Sequence, residues 1–331
     1  MAEVVLKGLS KAFGATQAVA DVDMVIPDGA FVVLLGPTGA GKTTCLRLIA
    51  GLEVPDAGDV LIDGASVRAE TPAQRDVAMV FQQYSLYPHM TVRDNLAFPL
   101  RSPILNWAED KVAARVAEVA SVLRIGHKLD NKATQLSGGE MQRVSIGRAL
   151  VRSPRIYLMD EPLSSLDAKL RAELRVELKR IHRELGATFL YVTHDQVEAM
   201  TMASHVGVLD HGRLVQFGTP REIYENPVSA YVASRLGSPR INLLPADVFG
   251  GAPAGAAQIG LRPEHIVQGE GAEARVVRVE HLGDQTRLHL RLGAHDIVTL
   301  AEGQEPVATG DVVRIRPETP LWFDATGARV M

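Results

Sequence analysis

Apolar positions along the chain fall into two rhythms. Through the first two thirds, short unbroken apolar runs alternate with stretches of helical period. The runs lie at residues 31–35, 77–81, 156–159, 188–192 and 206–209. They are rich in β-branched and aromatic residues, and most lack an intervening polar position, which suits strands covered on both faces. Between two of them, Leu170, Leu174, Leu178, Ile181 and Leu185 share one face of a helix predicted over 168–186, with Gly186 as its C-cap. Strands alternating with helices predict an α/β domain with a mainly parallel sheet.

After about Leu236 the rhythm changes. Residues 251–255, Gly-Ala-Pro-Ala-Gly, read as a loop. Leu288, Leu290 and Leu292 then alternate with Arg287, His289 and Arg291, and Val313 and Ile315 with Arg314 and Arg316. Short half-buried strands between Gly and Pro predict a small all-β barrel or sandwich. The boundary is placed near 235–238, giving domains 1–235 and 236–331.

Length and composition are consistent with this division. The 331 residues are 46% apolar and 22% charged, which excludes wholesale disorder and fibrous repeats. A net charge of −4 argues against a strong global pull toward nucleic acid or anionic lipid. The single cysteine, Cys45, excludes an internal disulfide and a Cys-rich zinc site, and reads better as a small packed side chain than as a regulator. The first residues lack the apolar core of a signal peptide, and no stretch approaches the 18 or so apolar residues a spanning helix needs. Work at a membrane would therefore require another chain as anchor.

The sharpest chemistry lies just after the first apolar run. Gly36-Pro37-Thr38-Gly39-Ala40-Gly41-Lys42-Thr43 fits G-x-x-x-x-G-K-[ST], between a strand and a helix-like run from Thr44 to Ala50. Glycines let backbone amides wrap phosphate oxygens, and the following helix N-terminus adds positive partial charge. Lys42 would bridge the β- and γ-phosphates of a nucleotide and Thr43 would ligate Mg2+. The run at 156–159 ends in Asp160-Glu161, carboxylates at the sheet edge where open α/β folds bind ligands. Asp160 would support Mg2+ and Glu161 would polarise an attacking water. Leu136-Ser137-Gly138-Gly139-Glu140 reads as a capping box, and its bare glycine amides make a second anion site. A dimer in which each site completes the other accounts for two such sites.

Leu136-Ser137-Gly138-Gly139-Glu140-Met141-Gln142-Arg143, lying between the phosphate loop and the Asp-Glu strand, resembles the signature of ABC transporter ATPases. Other motifs follow in that family's order. Gln82 resembles the Q-loop glutamine, Ser164-Ser165-Leu166-Asp167 the D-loop, His194 the switch histidine, and Phe13 the aromatic stacked on adenine. The resemblance covers 1–235 nearly continuously. It implies a P-loop NTPase fold with a RecA-like sheet and a helical signature subdomain at about 84–150. It implies a head-to-tail homodimer that traps two MgATP. Residues 36–44, including Thr44, would hold one nucleotide from one side, and Ser137, Gly138 and Gly139 of the partner subunit would close it from the other. Asp167 would be a further nucleotide contact, Glu161 the general base, His194 a contact to the γ-phosphate, and Gln82 a catalytic group and Mg2+ ligand. The chain departs from common family forms at Thr43-Thr44, where Ser-Thr is frequent, and at Glu140, where glutamine is frequent.

Aromatic and apolar residues at 84–92, including Leu86, Tyr87 and Met90, line a docking groove for a membrane subunit or close the subdomain core; the sequence leaves both open. Residues 237–244, 260–265 and 323–329 are similar to elements of maltose-type carbohydrate importer ATPases, whose tail is an OB-like, TOBE-type regulatory domain. This implies an importer ATPase at the cytoplasmic face of the bacterial inner membrane, with two integral-membrane permease subunits and, indirectly, a solute-binding protein. Importers of polyamine, sulfate or ferric iron carry related tails. A soluble ABC-type ATPase on nucleic acid is the remaining class. The Arg287, His289 and Arg291 stripe lacks flanking aromatics and reads as a solvated face, so no nucleic-acid partner is expected. The cargo is not encoded here.

Overall fold

The computed structural model describes residues 2–301 and 307–330, in two compact units that divide between Pro220 and Arg221. The first unit runs β1 (Val4–Phe13), β2 (Thr16–Ile26), β3 (Phe31–Leu35), α1 (Lys42–Ala50), β4 (Ala57–Ile62), β5 (Ala65–Ser66), β6 (Val77–Val80), α2 (Val92–Ala97), α3 (Glu109–Val122), α4 (Gly138–Leu150), β7 (Ile156–Asp160), α5 (Ala168–Leu185), β8 (Thr188–Thr193), α6 (Gln196–Met202), β9 (His205–Asp210) and β10 (Arg213–Gly218).

The five apolar runs become β3, β6, β7, β8 and β9, with ends within a residue of those predicted. They form a sheet in the order β10-β9-β3-β8-β7-β6, parallel except for β10. Every residue of β3, β7 and β8 is buried, as expected of strands covered on both faces. This order sets β7, β8 and β3 side by side, so their C-terminal ends open on one edge.

A second sheet, β2-β1-β4-β5, is antiparallel and was not anticipated. Its signal is a period of two: Val22, Met24 and Ile26 are buried between more exposed neighbours, and Val4 and Leu6 face Ile26 and Met24 across the ladder. Helix α1 contributes Cys45, Leu46, Leu48, Ile49 and Ala50 to one apolar core with residues of both sheets. The helix that follows the phosphate loop is thereby gripped on more than one side. The predicted amphipathic helix is α5, closed by Gly186 in the left-handed region at φ 61°. Leu174, Leu178 and Ile181 are its buried stripe, while Leu185 is 37% exposed.

The second unit holds α7 (Pro220–Glu225), α8 (Ala230–Arg235), β11 (Asn242–Pro245), β12 (Gln258–Leu261), β13 (Ile266–His281), β14 (Thr286–Leu292), β15 (His295–Ala301), β16 (Val312–Pro317), β17 (Leu321–Phe323) and β18 (Arg329–Val330). Its sheets, β11-β12-β17-β18 and β15-β14-β13-β16, share a core of Leu244, Ile259, Leu261, Val276, Leu288, Leu290, Ile297 and Ile315, among others. On the outer face Arg291 pairs with Asp296 and His289 with Glu280.

The division lies upstream of the boundary read from sequence because α7 and α8 side with these sheets. Arg262 is the reason. It is 2% exposed, and its guanidinium donates to the carbonyls of Ala233 (3.1 Å), Leu236 and Tyr224 (2.8 Å) while lying 3.8 Å from the centre of the Tyr224 ring. Ala230 and Ala233 also pack with Ile241, Leu321 and Phe323. Replacing Arg262 with Ala orphans three carbonyls and should destabilise this unit by about 3 kcal/mol. Denaturant unfolding of the full chain measures this; Arg262→Lys should recover only part, since an ammonium lacks the planar fork.

Candidate functional site

Strand β3 ends in mid-sheet, and the chain turns through residues 36–41 into α1. Gly41 caps the helix at φ 96°, and a Cβ there would sit 2.2 Å from the Ala18 carbonyl oxygen. A Cβ on Gly36 would come within 2.7 Å of the Leu209 oxygen. Only glycine lets the loop lie this close to its neighbours. No side chain caps the N-terminus of α1, so its leading amides are available to an anion. Gly36 and Ala40 are buried, Pro37 and Thr44 half-buried, and Thr38 and Gly39 exposed at the rim.

Lys42 is buried, with Nζ donating to the carbonyls of Gly36 and Pro37, each at 2.9 Å. Its ammonium lies 3.8 Å from Glu161 Oε1. Burial pulls its pKa down, and the charges of Glu161 and Asp160 oppose that shift. Thr43 Oγ1 donates to Asp160 Oδ1 at 2.8 Å, tying α1 to the end of β7. Burial pushes the Asp160 carboxyl up, the Thr43 hydrogen bond works the other way, and the Glu161 charge raises it further.

Glu161 has a left-handed backbone, φ 44°, which for a non-glycine residue costs on the order of 1 kcal/mol. That turn, held by its N–H donating to the Val192 carbonyl at 3.1 Å, carries the side chain out of the strand direction. Its other oxygen, Oε2, lies 3.0 Å from His194 Nδ1, and His194 follows the last residue of β8. Three neighbouring strand ends thus present Lys42, Thr43, Asp160, Glu161 and His194 to one another. One ammonium against two carboxylates leaves the cluster a net negative charge, which a divalent cation offsets. The hydroxyl of Thr43 and the carboxylate of Asp160 are hard oxygen donors suited to Mg2+. Among the described residues no three His, Cys, Asp or Glu side chains form a metal cage. That donor set fits a cation completed by phosphate oxygens and water.

Gln82 joins this cluster at one remove. Its Nε2 lies 3.4 Å from Ser164 Oγ, which donates to the Glu161 carbonyl at 2.9 Å. A parallel link joins Tyr84 and Ser165, hydroxyl to hydroxyl, at 2.8 Å. The other expected residues stand in separate surroundings. Phe13 is 46% exposed at the end of β1, with Lys11 Nζ 5.5 Å from its ring centre. Asp167 caps α5, accepting from the Leu170 N–H at 3.0 Å. Ser137 and Glu140 form the reciprocal cap: the Ser137 N–H and Oγ donate to Glu140 Oε2 at 2.8 and 2.9 Å. The Ser137 N–H holds the Glu140 carboxyl below its ordinary range. The two signature glycines differ. A Cβ on Gly139 would collide with Leu170 at 2.3 Å, whereas on Gly138 it would meet only ordinary contacts, with the Tyr84 hydroxyl at 3.4 Å.

Sequence reading missed several groups that shape this edge. Glu198 is 2% exposed and accepts from Tyr191 (2.9 Å) and Thr193 (2.6 Å) through one oxygen. Beside the Q-loop, a cavity of about 240 Å³ is walled by Met79, Phe81, Ser85, Phe98, Arg148 and Arg152. Tyr87 stands at this wall, 4.5 Å from the Phe98 ring and beneath the Arg148 guanidinium at 4.7 Å. Leu86, Tyr87 and Met90 are half-buried and not sealed in a core. Cys45 is sealed, and burial pushes its thiol up to about 12. Among the described residues no helix is long and apolar enough to cross a membrane.

The ABC transporter family model matches residues 19–164 and the TOBE domain model residues 259–330. The chain is 45% identical to the sn-glycerol-3-phosphate import ATP-binding protein UgpC of Ruegeria sp. (strain TM1040), covering 100% of this chain and 99% of that protein. It is 45% identical to the UgpC of Cereibacter sphaeroides over 100% of both. Among solved structures it resembles the dimeric bacterial ABC transporter cassette MJ0796, at TM-score 0.60 and 30% identity, over 66% of this chain and 99% of that one. The post-hydrolysis dimer of the same cassette, bound to ADP and Pi, matches at TM-score 0.59 and 31% identity, over 66% and 99%.

Burial pushes the Glu198 carboxyl above its ordinary 4.5, outweighing the hydroxyl bonds from Thr193 and Tyr191. The native state therefore holds this proton more firmly than the unfolded chain. Stability should fall as pH rises from about 4.5 through the raised pKa, and Glu198→Gln should flatten that part of the profile while keeping an acceptor for both hydroxyls. Urea midpoints across that window, wild type against variant, measure the difference.

Proposed function

The chain belongs to the ATP-binding subunits of ABC transporters, ATPases coupled to import, and from that premise we propose how its residues divide the work. The carrying observation is the convergence of Lys42, Glu161 and His194, with Glu161 3.8 Å from the ammonium and 3.0 Å from the imidazole. Lys42 and the amides opening α1 hold the β- and γ-phosphates. Thr43, Asp160 and Gln82 would hold Mg2+, which would neutralise phosphate charge when bound. Glu161 orients the attacking water and accepts its proton. His194 steadies Glu161 and contacts the γ-phosphate. Phe13 offers its exposed ring to adenine.

The signature end of α4 is built as an anion site, yet its neighbours in the same chain are Glu140, Leu170 and Tyr84. A second copy set head to tail gives it a nucleotide to meet, and the dimeric MJ0796 cassettes support this arrangement. Asp167, at the end of the D-loop, then borders the same seam. Two permease subunits receive the motion at the groove beside the Q-loop, where exposed Phe98, packed against half-buried Tyr87, borders a cavity reaching Met79 and Arg148. The protein works at the cytoplasmic face of the bacterial inner membrane, with Mg2+ as cofactor and a solute-binding protein reached only through the permeases. The relatives named for sn-glycerol 3-phosphate import support a phosphorylated sugar derivative as cargo.

Glu161→Gln should lower ATP turnover by at least about 100-fold while nucleotide binding and the ATP-dependent dimer persist. Steady-state ATPase assays with light scattering on the same sample test this, and wild-type turnover would remove Glu161 from the role. Phe98→Asp should leave turnover of the isolated subunit within about twofold but abolish stimulation by reconstituted permeases, because a charge in a docking groove opposes an apolar partner. Retained stimulation would place the docking surface elsewhere.

A further inference from the structure

The D-loop and the switch histidine leave different strands, β7 and β8, yet a single side chain from α5 reaches both. Arg171 Nη2 donates to the Leu166 carbonyl at 2.8 Å, and Nε donates to the Leu163 carbonyl at 3.3 Å. Its Nη1 lies 3.7 Å from Asp195 Oδ2, an attraction of charges longer than a hydrogen bond. Asp195 is the residue after His194, and its two oxygens are divided. Oδ1 accepts from the Val197 N–H at 2.7 Å and caps α6, which leaves Oδ2 to Arg171. The Asp195 N–H in turn donates to Thr193 Oγ1 at 3.0 Å. The segments that Arg171 joins are the ones whose ends carry Glu161 and His194, 3.0 Å apart.

This division of labour has a chemical logic. The loop from Glu161 to Asp167 begins with a left-handed residue and has no strand partner beyond β7. Such a loop needs fixed points if the carboxylate at its head is to keep its place. A guanidinium supplies several donors in one rigid plane, so it can hold two carbonyls and still present charge to a third group. The site is about one third exposed at Arg171 and one quarter at Asp195, a setting in which an isolated ion pair contributes little to stability. Its value lies in geometry.

We infer that Arg171 is a positioning residue for hydrolysis: it clamps the D-loop to the segment bearing the switch histidine and so sets the Glu161–His194 alignment. Arg171 acts on Glu161 and His194 indirectly, through the Leu163 and Leu166 carbonyls on one side and the Asp195 carboxylate on the other. The inference rests on the roles proposed above for Glu161 and His194.

The test is ATPase kinetics on the full chain with Arg171→Ala, His194→Ala and the double variant, alongside Glu161→Gln. Arg171→Ala should lower kcat about tenfold with KM for ATP changed less than about twofold, since positioning enters at the chemical step. In the His194→Ala background the same substitution should cost less than about twofold, because the alignment it protects has already gone. A purely structural role would cost the same in both backgrounds. Arg171→Lys keeps charge for Asp195 but not the fork; it should lose a few-fold in kcat with the same non-additivity, and it stands in if the alanine variant does not fold. Full turnover in Arg171→Ala, or losses that multiply independently with His194→Ala, overturns the positioning role alone. Wild-type turnover in Glu161→Gln overturns the reading of the site and this inference with it.

Discussion

A lysine ammonium enclosed with two carboxylates at the edge of a parallel sheet is the constraint from which the rest of the first unit follows. Charges taken from water must be paired and hydrogen-bonded, and Lys42 is nearly sealed. Pairing requires the strand before Lys42 and the strand before Asp160 and Glu161 to be near neighbours, and β8 between them delivers His194. The connection is reinforced by Thr43, whose hydroxyl locks α1 to β7. Such a cluster is a poor source of stability, because burying charge costs about as much as pairing returns. Its retention makes sense as preorganisation toward a polyphosphate, where donors and cation must be in place before the reaction begins.

Around that cluster the loops are also joined by individual polar contacts. Gln82 and Tyr84 reach the two D-loop serines, and Arg171 reaches the Leu163 and Leu166 carbonyls. Links of this kind exchange partners at little cost, whereas close-packed apolar contacts do not. The helix ends, by contrast, are firm: α4, α5 and α6 each start on a side-chain cap. Rigid helices meeting through adjustable loops suit a unit that must transmit closure around a nucleotide to a groove some residues away in the chain.

Most of the sheet was legible because β3, β7 and β8 are buried on both faces, and an unbroken apolar run too short for a helix fits few places but a covered strand. The antiparallel sheet was not read, since its alternation through Val22, Met24 and Ile26 is short and interrupted by β-bulges. The phosphate loop, the Asp-Glu pair and the capping box could be placed because each is a local pattern with a local reason. Gly139 shows the limit of that approach. Its backbone amide suggested an anion, but the absence of its side chain is also required by Leu170, thirty-one positions along the chain. The contacts of Arg262 and Arg171 could not be read for a related cause: most of their partners are carbonyls, which every residue carries, so no side-chain pattern announces them.

Cys45 carries a practical consequence. The chain's one sulfhydryl is packed between two sheets and held in its protonated form, and only the thiolate attacks electrophilic reagents. Maleimides and spin labels should therefore pass the native fold by. A cysteine introduced on the surface would be the sole reactive handle, so a fluorophore or nitroxide pair could follow the opening and closing of this machine without first stripping out a natural residue.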